Sequence, residues 1–208
     1  ITINSDTVGW VKIPGTNIDY PVLQENPNGG YMNQYYLNRD INKQTSKNGV
    51  IFADFRTVFG TKNTMSKNTV LYGHNWTNIS ANPRIGNEED VMFAQLTGYH
   101  HLDFAKEHPY IYFNSLSKDM VWVVFAAFYT HINFNYIDPN PTDAEFKNII
   151  NGAKERSEHI FDVDVNTSDK ILTLSTCTRR FKNLGDKQRF VVMARLLRAD
   201  ETTNDKIS

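Results

Sequence analysis

Ile171-Leu172-Thr173-Leu174-Ser175-Thr176-Cys177 alternates Ile171, Thr173 and Ser175 with Leu172, Leu174 and Thr176. A period of two rich in apolar and β-branched residues is the mark of a strand with two distinct faces. Working outward, Phe190 to Leu197 is a second apolar strand, and Met120 to Tyr129 reads as a strand buried on both faces. Tyr110 to Phe113 precedes the latter, hinged at Ser115 to Asp119. Shorter strands are expected at Thr69–Gly73, Gly49–Ala53 and Tyr35–Leu37. Gly9 to Thr16 and Ile18 to Leu23 have the pattern of a hairpin, with Pro14-Gly15 at the turn and Pro21 on an edge. The stretch from Gln24 to Gly30 is a loop.

Two helices interrupt these strands. Between Glu88 and Lys106, Met92, Phe93, Leu96, Tyr99, Leu102 and Phe104 recur mostly at three- and four-residue steps, with caps and first-turn acids offered by Asn87 to Asp90 and with Gly98 weakening the middle. Thr142 and Glu145 spell a capping box ahead of Phe146, Ile149 and Ile150. Many strands with two inserted helices make the chain mainly β, a barrel or a sandwich. Neither repeats nor low-complexity tracts mark a second domain, and the polar tail from Ala199 to Ser208 is expected to fray.

Composition narrows the function. The 208 residues suit one domain with a real core, and 22 Lys plus Arg against 23 Asp plus Glu give no electrostatic case for nucleic acid. With one cysteine there is no intramolecular disulfide and no multi-thiolate zinc site. No apolar run reaches the roughly 18 residues of a membrane span. The chain starts at Ile1 instead of Met, as a processed or truncated product would, so an N-terminal anchor could have been lost.

Three residues carry candidate chemistry. A lone cysteine is more often a small buried hydrophobe than a nucleophile, but Cys177 ends a strand beside a loop, where rigid scaffolds present reactive groups. Arg179, Arg180, Lys182, Lys187 and Arg189 surround it in sequence and would favour thiolate over thiol. His74 closes the strand Val70-Leu71-Tyr72-Gly73, and an imidazole there could face Cys177 across the sheet, taking and returning a proton near neutral pH. Arg189 opens the last strand; its fixed charge and several donors suit a developing oxyanion, although Arg179 and Arg180 compete for that role on charge.

At these residues the chain resembles the sortase family, in particular its class B branch. Thr173-Leu174-Ser175-Thr176-Cys177 looks like the TLxTC signature, and Leu71-Tyr72-Gly73-His74-Asn75 and Arg189 leading the terminal strand agree with it in order and context. Further likeness lies in Gly9-Trp10-Val11-Lys12-Ile13, Asp19-Tyr20-Pro21-Val22, Gly49-Val50-Ile51-Phe52-Ala53-Asp54 and the helix from about Thr142, so the similarity spans roughly residues 8–197. The resemblance implies an eight-stranded barrel with N-terminal and inserted helices, forming a single catalytic domain over residues 1–208. It implies a place on the extracellular face of a Gram-positive bacterium, held by an N-terminal membrane anchor that this chain lacks. The implied reaction cleaves a C-terminal sorting motif of a secreted surface protein after Thr and forms a thioacyl enzyme on Cys177. The acyl group then passes to a peptidoglycan cross-bridge amine or to a pilin lysine. His74, Cys177 and Arg189 are the implied catalytic residues, Tyr72, Ser175 and Thr176 the implied peptide-groove residues, and neither a metal nor another cofactor takes part.

Other readings fit less well. A papain-like protease would place its Cys before its His, the reverse of His74 and Cys177. An L,D-transpeptidase would carry Ser-His-Gly-Cys where this chain has Leu174-Ser175-Thr176-Cys177. A non-catalytic surface-binding β-domain explains the strands and the 12% aromatic content, but gives the thiol no reason for fast, sequence-dependent reaction. Adjacent His100 and His101 would diverge on a helix, and a solvated helix face explains them better than a metal site. The Asn-x-Ser/Thr matches at Asn75, Asn78 and Asn166 are short enough to arise by chance.

Overall fold

The alternation in Ile171–Cys177 (β7) has a direct spatial meaning. Leu172 and Leu174 join one core cluster with Phe190, Val192 and Ala194, whereas Ile171 joins a second with Val191 and Met193. The computed structural model, which describes residues 4–60 and 64–203, shows that the first cluster fills a barrel and the second lies outside its wall. Among the described residues the strands are β1 (Thr7–Lys12), β2 (Asp19–Leu23), β3 (Ile51–Ala53), β4 (Asn68–Tyr72), β5 (Tyr110–Ser115), β6 (Val121–His131), β7 and β8 (Gln188–Leu196). They close in the order β1-β2-β3-β4-β7-β8-β6-β5, which leaves no open sheet edge.

Two features of this order position the functional residues. β4 and β7 run parallel and in contact, Tyr72 opposite Ser175, and β7 pairs antiparallel with β8, Cys177 opposite Arg189. β1 and β2 form the expected hairpin, and Pro21 falls just before β2 meets β3 at Val22, where its missing N–H costs no ladder bond to β3.

β6 is buried on both faces, as its sequence requires. Ala127 and Tyr129 point into the barrel, while Val123, Phe125 and Phe128 lie beneath the helix α2 (Asp143–Arg156). Phe146, Ile149, Ile150 and Ala153 of α2 cover that wall, and burying a side chain the size of Phe146 is worth about 1.5–3 kcal/mol. The capping box is complete: the Glu145 N–H donates to Thr142 Oγ1 at 3.3 Å, and the Thr142 N–H donates to the Glu145 carboxylate at 2.9 Å.

Four local expectations are corrected. The helix expected over Glu88 to Lys106 is instead a 3₁₀ segment, Ala94–His100, and a short helix α1, Leu102–Glu107, broken at His101. Its apolar spacing serves a segment buried on every side from Ala94 to Tyr99, so no single stripe faces the core. Gly98 is needed there, since a Cβ would stand 2.9 Å from the Ile85 carbonyl and 3.0 Å from the Phe104 ring. Tyr35–Leu37 is not a strand: Tyr36–Asn38 is a 3₁₀ turn held by Tyr36, whose buried hydroxyl donates to Asp6 at 2.6 Å. No helix precedes β1 among the described residues. Lastly, the tail is tied down as far as Glu201, which accepts from Arg195 at 2.6 and 2.7 Å; residues 204–208 lie outside the described residues.

Candidate active site

The parallel pairing of β4 and β7 continues past the end of β4. The Gly73 N–H donates to the Ser175 carbonyl at 3.3 Å, and the Thr176 hydroxyl donates to the Gly73 carbonyl at 2.7 Å. Gly73 is obligatory, because a Cβ there would come within 2.4 Å of Ile51 and 2.8 Å of the Phe93 ring. This close approach brings the His74 segment level with Cys177, whose register partner across β8 is Arg189. His74, Cys177 and Arg189 line one cleft of about 370 Å³.

His74 is held at two points. Its Nε2 lies 2.7 Å from the Leu37 carbonyl, and its ring stacks on Trp76 at 4.8 Å and 25°. A carbonyl only accepts, so Nε2 carries a proton, and Nδ1 is the basic nitrogen of the neutral ring. Trp76 is itself anchored, its indole N–H donating to the Lys47 carbonyl at 3.0 Å. The Cys177 thiol is half-buried, and among the described residues it makes no hydrogen bond to the imidazole. Catalytic hydrogen bonds of this type often tighten only when substrate is present.

The cations divide by position. Arg179 pairs with the exposed Asp186 at 2.5 Å, and Arg180 donates to the Ala81 carbonyl while lying over the Tyr129 ring at 5.3 Å. Of the five cations near Cys177 in sequence, only Arg189 lines the cleft. Its Nη1 donates to the carbonyls of Asp186 at 2.6 Å and Gln188 at 2.8 Å, which leaves Nε and Nη2 for a further acceptor.

Tyr72, Ser175 and Thr176 belong to the same cleft. Thr176 has already donated its hydroxyl to Gly73. Tyr72 donates to the buried Asp54 carboxylate at 2.9 Å; burial first, and that carboxylate second, push its phenol well above the usual tyrosine range. Ser175 shares a 2.8 Å hydrogen bond with Tyr136. Burial likewise raises the Tyr136 phenol.

Sequence reasoning missed Tyr136, the Leu37 carbonyl and Trp76. Tyr136 sits in a loop with no periodicity to mark it, and a backbone carbonyl carries no residue signature. Trp76, two residues beyond His74, was the one legible hint. His100 and His101 are not on a solvated face: His100 meets Glu158 at 3.0 Å, and His101 donates to the Pro83 carbonyl at 2.7 Å.

A closed barrel that presents a thiol, an imidazole and a guanidinium at one cleft defines a cysteine-dependent acyl-transfer enzyme. The family model described as "Sortase domain" matches residues 11–197, and the chain belongs to the sortase family as a class B cysteine transpeptidase. It is 34% identical over 197 residues to Sortase B of Staphylococcus aureus, covering 94% of this chain and 72% of that protein. It is 33% identical to Sortase B of Listeria monocytogenes over 196 residues, covering 94% and 71%. The solved Staphylococcus aureus sortase B–substrate complex superposes with a TM-score of 0.77 at 32% identity, covering 95% of this chain and 82% of that one. The barrel expectation is thereby borne out, and the L,D-transpeptidase and non-catalytic readings are not favoured.

Proposed function

We propose that this sortase forms its thioacyl intermediate on Cys177, with His74 as the proton-transfer group and Arg189 as the oxyanion donor. The carrying observation is that strand register makes Arg189 the direct neighbour of Cys177, while the extended β4 ladder brings His74 to the same cleft. The Cys177 thiol gives its proton to Nδ1 of His74, which becomes the imidazolium, and its sulfur attacks the carbonyl carbon of the Thr residue in a C-terminal sorting motif. The carbonyl electrons move onto oxygen, where the free Nε–H and Nη2–H of Arg189 meet them. Collapse breaks the C–N bond, and the imidazolium gives the leaving amine its proton. An incoming amine then attacks the thioester, loses a proton to His74 and releases the Cys177 sulfur.

The donor is a surface protein bearing the sorting motif, and the acceptor is a peptidoglycan cross-bridge amine. Similarity to the Staphylococcus aureus sortase B–substrate complex supports a substrate bound at this cleft. Tyr72, Ser175 and its partner Tyr136 form the polar side of the peptide groove, and Thr176 acts through the β4–β7 contact. The enzyme works as one catalytic domain at the outer face of a Gram-positive plasma membrane; no described helix is long and apolar enough to cross a membrane. No metal or other cofactor enters this scheme, and nucleic acid is not a partner.

The test is intact-protein mass spectrometry with a library of Thr-containing pentapeptides. Wild-type protein is expected to gain the mass of the acyl fragment, and to lose it when an amine such as triglycine is added. Cys177→Ala should fold normally and form no adduct. Adduct formation by Cys177→Ala, or turnover above a few per cent of wild type, removes Cys177 from the nucleophile's role.

A further inference from the structure

The segment that follows His74 contains a buried amide whose contacts the scheme above does not use. Asn75 is 1% exposed, and its side chain bridges two elements that are 102 residues apart in sequence. Its Oδ1 accepts from the Asn78 N–H at 2.9 Å. That N–H can only donate, so the amide orientation is fixed and Nδ2 must face acceptors. Nδ2 donates to the Asn78 carbonyl at 3.0 Å and to the carbonyl of Cys177 itself at 3.2 Å.

The location of this bond matters. β7 ends at Cys177 and β4 ends at Tyr72, so the regular ladder no longer fixes the spacing between the two reactive residues. The Asn75 amide replaces the missing rung. It takes hold of the peptide group of the nucleophile from the residue directly after the proton-transfer group. A second tie, the Arg179 N–H to the Ile79 carbonyl at 2.8 Å, continues the contact farther along both loops. A peptide plane held at its carbonyl cannot rock, so the Sγ direction relative to the imidazole is set from the backbone.

We infer that Asn75 is a positioning residue of the transpeptidation reaction: its side-chain amide fixes the Cys177 backbone relative to His74. The inference rests on the proposed roles of Cys177 and His74. Asn is the residue that fits: its acceptor and donors act at once, one side on the Asn78 N–H and the other on two carbonyls. Aspartate would set a carboxylate oxygen against those carbonyls. Alanine would remove the bonds to the Asn78 N–H and the Cys177 carbonyl and leave the Asn78 carbonyl only the long 3.5 Å bond from the Thr97 hydroxyl.

The experiment compares Asn75→Ala with Asn78→Ala. Asn78 is 2% exposed and its side chain is bonded to Arg84 and Ala94, so its loss loosens the same loop without touching Cys177. Thioacyl formation from a sorting peptide is followed for both, with thermal unfolding measured in parallel. Asn75→Ala is expected to lose roughly 10–100-fold in kcat with KM changed less than about threefold, the cost of a misplaced reacting pair. Asn78→Ala should lose comparable stability and retain kcat within about threefold. Near-wild-type kcat in Asn75→Ala, or equal kcat losses in both variants, overturns the inference. If Asn75→Ala does not fold, hydrogen exchange of the Asn75 side-chain NH₂ in wild-type protein decides: slow exchange supports the strut, and exchange at the rate of an exposed amide refutes it. Absence of any thioacyl adduct in the wild type would instead refute the proposed function, and this inference with it.

Discussion

Replacing Arg189 by Lys keeps the positive charge beside Cys177 and removes the planar fork. In the structure Nη1 is occupied by the carbonyls of Asp186 and Gln188, at 2.6 and 2.8 Å, so the side chain is anchored by one nitrogen and can donate through the others. Lysine has a single nitrogen, which must either keep the anchor or reach the oxyanion. Loss of one oxyanion donor typically costs about 3–4 kcal/mol, or roughly 10²–10³ in kcat. The retained charge recovers part of this, so the expected loss for Arg189→Lys is about 10²-fold in kcat. KM should change little, because the interaction strengthens only as charge develops on the carbonyl oxygen. Steady-state cleavage of a sorting peptide, followed chromatographically, separates the two constants. Arg179→Lys and Arg180→Lys are the controls; Arg179 pairs with an exposed carboxylate, an interaction worth about 0–1 kcal/mol, and both variants should be mild. A kcat near wild type in Arg189→Lys, or a defect confined to KM, would falsify the oxyanion role. Arg189 would then position the peptide, and backbone N–H groups would hold the oxyanion.

His74→Ala is expected to lower kcat by roughly 10²–10⁴-fold, the usual range for a general acid–base group, while replacement of His100, His101, His108, His131 or His159 leaves it nearly unchanged; an essential histidine among those five would contradict the assignment. Asp54→Asn tests the wall behind Tyr72. Burial alone would raise the Asp54 carboxyl, but the bidentate Arg56 contacts, the Arg56 N–H and the Tyr72 hydroxyl outweigh it and hold the group below the ordinary aspartate value. A depressed folded-state value stabilises the protein above the unfolded pKa of about 3.9 and is lost as pH falls through the folded value. The variant should therefore unfold about 2–4 kcal/mol more easily at neutral pH, an amount moderated by the 42% exposure of the Arg56 side chain. In urea titrations the gap from wild type should close below about pH 4. A gap that persists undiminished in acid would mean that packing, not the carboxylate charge, is what Asp54 supplies.

Much of this enzyme was legible in the residues themselves. Alternation in Ile171–Cys177, the unbroken apolar run of β6, the hairpin around Pro14-Gly15 and the Thr142/Glu145 capping box are local signals, and each became the element it announced. The candidate site was legible because His74, Cys177 and Arg189 all stand at strand ends, where side chains leave the core. The failures were also local in form. Met92 to Phe104 has the steps of a helix, but a segment buried all round needs no stripe, and Gly98 and the positive φ of 54° at Met92 break the path. Tyr35 to Leu37 has strand propensity, yet the Tyr36 hydroxyl bond to Asp6 favours a turn.

Sequence alone determined the period of each strand, the caps of α2 and the chemical types available for nucleophile, base and oxyanion donor, because these depend on neighbours a few residues away. Only the tertiary structure decided which groups meet. The Leu37 carbonyl that sets the His74 tautomer is 37 residues from it, Tyr136 reaches Ser175 over 39, and Asn75 reaches the Cys177 carbonyl over 102. The pairing of Cys177 with Arg189 likewise follows from strand register, and Arg179 and Arg180 are drawn away from the cleft by their contacts with Asp186 and Ala81. Register is fixed by how the whole barrel closes around its core, and no local pattern encodes that closure.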